Sequence, residues 1–565
     1  MKGLWRLLEH GSIKEREPMK MIIAKNIFPQ GFKLWGLSFL MTSFSLGAQS
    51  KVEVRPLGNL SQSAITSQHF KTSAALRKLV EKEGFEVLSE RFSVLDQRIE
   101  MELFNYKKNE ARSYRAPAQN PQQAELVLLN HAPMVTEIEF QKAFQIVSRS
   151  TEFSQALKNQ DIELYEAMPG ILERAQTEAL KLGRSVTVGL RPLRKDRPHE
   201  IVAVDLRDQK IHRFSSRAPE SCRETTNQFC GYRPGQGPLS RRGAEGTAEV
   251  IIRDTEGAEA WRFVVTRPAN SSGPNGSGMD LQNVSYRGQK ILTQFHLPLQ
   301  NVLYDKNACG PYRDWQHTEN AFQAQGDLLA PGILQASERP QSIVDAKNDS
   351  GNFVGIAIYT DPKTQVTRLV SEMSAGWYRY VQEFFFHLDG TFEPRWTFTA
   401  VQSSCVCKAH RHHIYARMDF AVITETENQL QVLQSNSKDS LWESVKHEGK
   451  FFRTPGQRWR VINPSAKLAV EIYPGPNDET AMGDSYAKGD LWALAFQANE
   501  IEDSTVRRDT SSYLDLFVGP ELIENQNFVL WYGHHYRHDS EHSEEESRSV
   551  GPTLKVVSLP SKSDE

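Results

Sequence analysis

His410 and His412 lie two residues apart, and in a β-strand such residues point to the same face, so both imidazoles can reach one metal ion while Arg411 points away. Neutral imidazole suits copper and zinc alike, so ligand type alone does not name the ion. Further imidazoles crowd the run Trp531-Tyr532-Gly533-His534-His535-Tyr536-Arg537-His538, directly after the apolar Phe528 to Leu530, and His542 follows. They cannot all serve one ion. His535 is the first choice for a third ligand and His534 the second. Cys405 and Cys407 precede the histidine pair. Soft thiolates are good copper ligands, although buried structural thiols account for these two equally well.

These side chains need a scaffold, and the sequence outlines one. From about residue 248 to 559, short alternating runs dominate: 249–252, 261–266, 353–359, 379–388, 396–401, 413–422, 459–462, 468–472, 491–496 and 528–531. Gly, Pro, Asn and Asp clusters separate them, as in a large antiparallel β-sandwich. Before this, a helix over 64–84 and strand-like runs at 98–104, 124–129 and 135–140 outline a small α+β unit. A helix over 171–182 with runs at 186–190 and 201–206 suggests a second, abbreviated one. The expected fold class is therefore α+β, a large antiparallel β-sandwich preceded by two small α+β domains. The boundaries read as an N-terminal segment 1–48, small domains 59–149 and 150–216, a linker 217–244 and the sandwich 245–560.

The apolar stretch Leu34 to Ala48 follows Lys20, Lys25 and Lys33 and ends in small residues, which reads as a secretory signal with Met19 or Met21 as the start. It is short for a membrane span, so the mature chain is expected without one. Export places the five cysteines in an oxidising compartment, and Cys222 with Cys230 is the best candidate pair. A formal net charge of −3 gives no general electrostatic reason to expect nucleic acid or an anionic membrane as partner. The acidic, serine-rich stretch 540–547 reads as solvated.

The segment His410-Arg411-His412-His413-Ile414-Tyr415-Ala416-Arg417-Met418-Asp419 resembles the H-x-H strand of the copper amine oxidases, quinone enzymes built on a β-sandwich. Upstream, Gly376-Trp377-Tyr378-Arg379-Tyr380 leading to His387-Leu388-Asp389-Gly390-Thr391 is similar to the family stretch around its self-processed tyrosine, which falls on Tyr378. Trp261-Arg262-Phe263, Val284 to Gly288, Arg458 to Asn463, Leu491-Trp492-Ala493 and Glu524 to Trp531 follow in the family's order, the last supporting His535.

The resemblance implies copper held by His410, His412 and His535, topaquinone made from Tyr378, and oxidation of a primary amine by dioxygen to an aldehyde, ammonia and hydrogen peroxide. It also implies a homodimer, periplasmic or secreted. A redox metal is needed beside Tyr378 because ring oxidation requires activation toward dioxygen, which zinc does not supply.

Departures fall at the site itself. Trp377 stands where the family has asparagine, and Gln323 stands where it has the aspartate that abstracts the α-proton. Asp327 can enter that role if the short preceding loop shifts the register, or it is a turn residue after Gly326. Tyr312, in Pro311-Tyr312-Arg313-Asp314, resembles the tyrosine that hydrogen-bonds the quinone. The peripheral calcium site is doubtful: Asp419 remains, but Ala421 and Asn527 replace carboxylates. Two other readings stand beside the oxidase: a non-catalytic relative that binds or handles copper, and a zinc hydrolase using a metal-activated water.

Overall fold

The computed structural model describes residues 50–559 apart from several stretches, chief among them 58–73, 214–229, 234–245, 269–277, 306–310, 314–326, 434–440, 498–513 and 539–547. The side chains of Pro311–Arg313 and Asp327–Ala330 also fall outside the described set, as do the signal-like segment, Cys222, Cys309, Gln323 and His542. No helix among the described residues is long and apolar enough to cross a membrane.

Two large, mostly antiparallel sheets of ten and twelve strands dominate the described residues. The strand His410–Phe420 runs in the first, paired antiparallel with Gln289–Tyr304 on one side and Phe528–His538 on the other. Tyr378–Phe386 runs in the second, between Thr367–Ala375 and Thr391–Ala400. Both are buried along most of their length on either face, as strands in the middle of covered sheets are.

Ile414, Ala416, Met418 and Phe420 share one core with Tyr378, Tyr380, Phe384 and Phe386 of the second sheet. Tyr415 instead joins Trp492, Leu494, Val529 and Trp531 in a separate cluster on the other face of the first sheet. This period of two decides the side on which each histidine lies.

Two four-stranded sheets precede the sandwich. One comprises Glu86–Ser93, Arg98–Asn105, Glu110–Pro117 and Glu125–Leu128; the other Ile162–Ile171, Ser185–Pro192, Glu200–Asp205 and Lys210–Arg213. The second thus has as many strands as the first. The strand expected over 135–140 is instead the start of a helix, Glu137–Arg149, because Thr136 and Glu139 close a capping box and Phe140, Ala143 and Val147 form a helical stripe. That stripe packs on the second small sheet, against Val186, Val188 and Val202. Ile171, expected to open a helix, ends a strand, and Thr177 and Glu178 are helical.

Tyr106, in the turn after the strand Arg98–Asn105, donates its hydroxyl to Glu139 at 2.6 Å, and Glu139 also takes Arg184 Nε at 2.6 Å and Nη2 at 3.0 Å. Arg184 further stacks over Phe104 with 5.0 Å from its guanidinium carbon to the ring centroid. Removing one partner strands the other charge without water. Arg184→Met is expected to cost about 3–5 kcal/mol, read as a lowered denaturant midpoint for the transition that includes the small sheets. An unchanged midpoint would mean the pair carries no net weight.

Candidate metal centre

His410 and His412 share the inward parity of Ile414 and Met418, so both rings enter the space between the large sheets. Their centroids lie 4.8 Å apart. On the neighbouring strand the inward residues are Phe528, Leu530, Tyr532 and Tyr536, and the register sets His538 directly opposite His410. His538 Nδ1 and His410 Nε2 face each other at 3.3 Å, with ring centroids 4.7 Å apart. The third imidazole beside the pair is therefore His538.

His535, the expected third ligand, lies on the opposite face. It pairs with His413, and their Nδ1 atoms are 3.0 Å apart. A carbonyl only accepts, so His535 Nε2–H donates to Gly489 O at 2.9 Å and its Nδ1 accepts from His413 Nδ1–H. Both nitrogens of His535 are thus committed away from His410 and His412. His413 Nε2 lies 3.3 Å from Asp484 Oδ2, and that carboxylate also takes Arg411 at 3.0 Å. His534, the second choice, has inward parity but is opposite Ile414 and 4.0 Å from Asp478.

The same bookkeeping prepares His410. Its Nδ1–H donates to Lys408 O at 2.6 Å, which leaves Nε2 with the lone pair that faces His538. Burial, and then the neighbouring His538, push its pKa down to about 3. His412 is likewise held well below the ordinary range by burial and by His410. Its Nδ1 is buried without a hydrogen-bond partner. Phe398 stacks on its ring at 4.1 Å. Neutral imidazole is the form that binds metal.

Among the described residues, no three of His, Cys, Asp and Glu are already gathered closely enough to hold an ion as they stand. The donors nevertheless suit a divalent transition metal: two ring nitrogens that face each other and a third imidazole with an orphaned nitrogen. Cysteine does not contribute, because Cys407 is joined to Cys230 and Cys405 is also disulfide-bonded. The pairing expected for Cys230 with Cys222 is corrected accordingly. The strand turns bring Cys230 and Cys407 to a Cα separation of 5.2 Å across 177 residues, which sequence proximity could not reveal.

Tyr378 lies against this cluster, its ring centroid 5.2 Å from His412 and 5.8 Å from His410. Its hydroxyl is hydrogen-bonded to that of Tyr304. Tyr304 stacks on His410 at 4.8 Å and accepts the indole N–H of Trp377 at 3.1 Å. Tyr304 is thus a tyrosine that bonds Tyr378; the backbone of Tyr312 pairs with Val302 one strand out, and its side chain is outside the described residues. The run Val302-Leu303-Tyr304-Asp305, ending a long strand opposite His410, was the available signal. Asp327 opens a short strand paired with Gln335, and its side chain is outside the described residues.

No protein-family model matches the sequence, and no curated protein does. Solved structures do match. The copper-containing benzylamine oxidase from Hansenula polymorpha aligns at a TM-score of 0.52 with 12% identity, covering 81% of this chain and 88% of that one. The fold is that of the copper amine oxidases. The lysyl oxidase from Pichia pastoris aligns at 0.52 with 11% identity, covering 91% of this chain and 90% of that one. At these identities the copper amine oxidase likeness is one of architecture.

Asp419, of the doubtful calcium site, has a buried Oδ1 without a hydrogen-bond partner, as has Asn527. Burial, only partly offset by Arg417, raises the Asp419 pKa to about 6 from 3.8. The folded chain therefore binds more protons than the unfolded chain between these values, and stability is lost as pH rises through about 6. Asp419→Asn is expected to stabilise the metal-free protein at pH 7 by up to about 3 kcal/mol. Denaturant melts at pH 7 and pH 4 check this: the gain should vanish at the lower pH, and equal gains at both would contradict it.

Proposed function

We propose that this protein is an exported copper-dependent oxidase of primary amines, with an organic cofactor derived from Tyr378. The observation that carries the reading is the placement of Tyr378 against His410 and His412, with His538 beside His410, between the sheets of a copper amine oxidase fold. His410, His412 and His538 would hold the copper. Bound copper and topaquinone would supply the two-electron oxidation of the amine and pass the electrons to dioxygen, giving aldehyde, ammonia and hydrogen peroxide.

The chain's own residues have separate tasks. Lys408 O fixes the His410 tautomer that presents Nε2. Tyr304 holds the Tyr378 hydroxyl, and Trp377 holds Tyr304. Asp327 is the candidate for taking the α-proton, since Gln323 lacks a basic group. The Cys230–Cys407 disulfide suits an oxidising compartment and so supports a periplasmic or secreted location. A homodimer is part of the same reading.

Trp377 also favours a second reading, a copper-binding relative without turnover, because a bulky indole replaces asparagine beside Tyr378 and is tied to Tyr304. Turnover separates the two. Since the neighbours named above are a benzylamine oxidase and a lysyl oxidase, the copper-loaded protein should be given benzylamine and a lysine-containing peptide under air. Peroxide released in step with aldehyde supports the oxidase. Peroxide absent across a panel of primary amines, with copper bound, supports the binding protein.

A further inference from the structure

The loop between Thr391–Ala400 and the histidine strand is fastened at both ends to the candidate centre. At its start Val401 N–H donates to the carbonyl of Trp377, the residue before Tyr378, at 2.8 Å. At its end the Lys408 carbonyl receives His410 Nδ1–H at 2.6 Å. The short segment Cys230–Tyr232 lies against this loop. Ser403 N–H donates to Cys230 O at 2.9 Å, Tyr232 N–H to Ala400 O at 2.9 Å and Gln402 N–H to Tyr232 O at 2.8 Å.

Gly231 permits that approach. Its φ is +106°, and a Cβ there would meet the Val401 carbonyl group at 2.7 Å. The Cys230–Cys407 disulfide completes the contact one residue before Lys408. Within the loop itself, the residues around that carbonyl are held by Lys408 N–H to Cys405 O and by Asp305 N–H to Ala409 O, each at 3.0 Å.

We propose that the Cys230–Cys407 disulfide is a positioning element of the metal centre: it fixes the Lys408 carbonyl, which selects the His410 tautomer that offers Nε2 to the metal. This rests on the copper-site reading above. Without the tether the carbonyl can turn away, and the ring of His410 loses the acceptor that orients it. Loss of such an outer partner typically lowers metal affinity about 10–100-fold.

The test is the full chain carrying both Cys230→Ser and Cys407→Ser, with the wild type beside it. Copper affinity is measured by competition with a chromophoric chelator. The His410 tautomer is read in the metal-free protein by ¹⁵N NMR of labelled histidine, assigned with His410→Gln. The double variant is expected to bind copper about 10–100-fold more weakly and to lose the single Nδ1–H signature of His410, with its far-ultraviolet circular dichroism unchanged. Wild-type affinity together with the wild-type tautomer overturns the proposal.

If wild type binds no copper, the copper reading falls, while the metal-free tautomer comparison still decides whether the disulfide orients His410. Should the double variant not fold, the folded wild type is treated with a dithiol, which is oxidised to its own disulfide as the protein disulfide becomes two thiols. The same two readouts then apply: a weakened affinity and a mixed tautomer support the proposal, and no change in either overturns it.

Discussion

His538→Ala is expected to remove copper binding, and His535→Ala is expected to leave it. His538 is set opposite His410, with facing nitrogens 3.3 Å apart, on the inward side of its strand. His535 is one face away, its nitrogens bonded to His413 and to Gly489 O. Loss of one of three imidazoles should exceed the roughly 10–100-fold cost of losing an outer partner, so His538→Ala should leave substoichiometric copper after dialysis against a chelator. His535→Ala vacates a buried hydrogen-bonded site and is expected to lower stability by about 1–3 kcal/mol while keeping one copper per chain. Metal analysis together with thermal melts separates these outcomes. Copper lost from His535→Ala at unchanged stability, and kept by His538→Ala, would reverse the assignment.

The second large effect is at Tyr378. Tyr378→Phe deletes the hydroxyl that meets Tyr304, along with the phenol from which a quinone could form, and leaves the three imidazoles in place. Copper affinity is expected to stay within about fivefold of wild type, since a loss of one net hydrogen bond is worth about 1 kcal/mol. Amine oxidation and any visible quinone band are expected to vanish together. Residual turnover at even a tenth of the wild-type rate would show that Tyr378 is not the source of the cofactor.

Much of this arrangement could be read from the residues. Alternating runs foretold the sandwich because each strand there has its own period of two, a local property. The His410 and His412 pair followed from the same period. The third histidine required that parity to be carried along the strand from Phe528, whose inward residues Leu530 and Tyr532 lead to His534, Tyr536 and His538 and pass over His535. Proximity to the resembling segment favoured His535 instead.

Register is the other missing quantity. Tyr304 meets His410 because two strands more than a hundred residues apart in sequence pair at that position, and no local pattern states that pairing. The Cys230–Cys407 bond is hidden for the same reason. The helix Glu137–Arg149 was legible in principle through its capping box, but Val135 to Phe140 also alternates like a strand over its short length. Trp377 was visible as a departure; its bond to Tyr304 gives that departure a structural role.

The most direct measurement follows the mass of Tyr378 itself. Metal-free protein is given one equivalent of copper(II) under air, digested, and the peptide containing Trp377-Tyr378 is weighed with and without prior treatment with phenylhydrazine. The proposed oxidase predicts that Tyr378 gains two oxygens, loses two hydrogens and captures one hydrazine, only with copper and not in His538→Ala. Stoichiometric copper on a chain whose Tyr378 keeps the mass of tyrosine would contradict it.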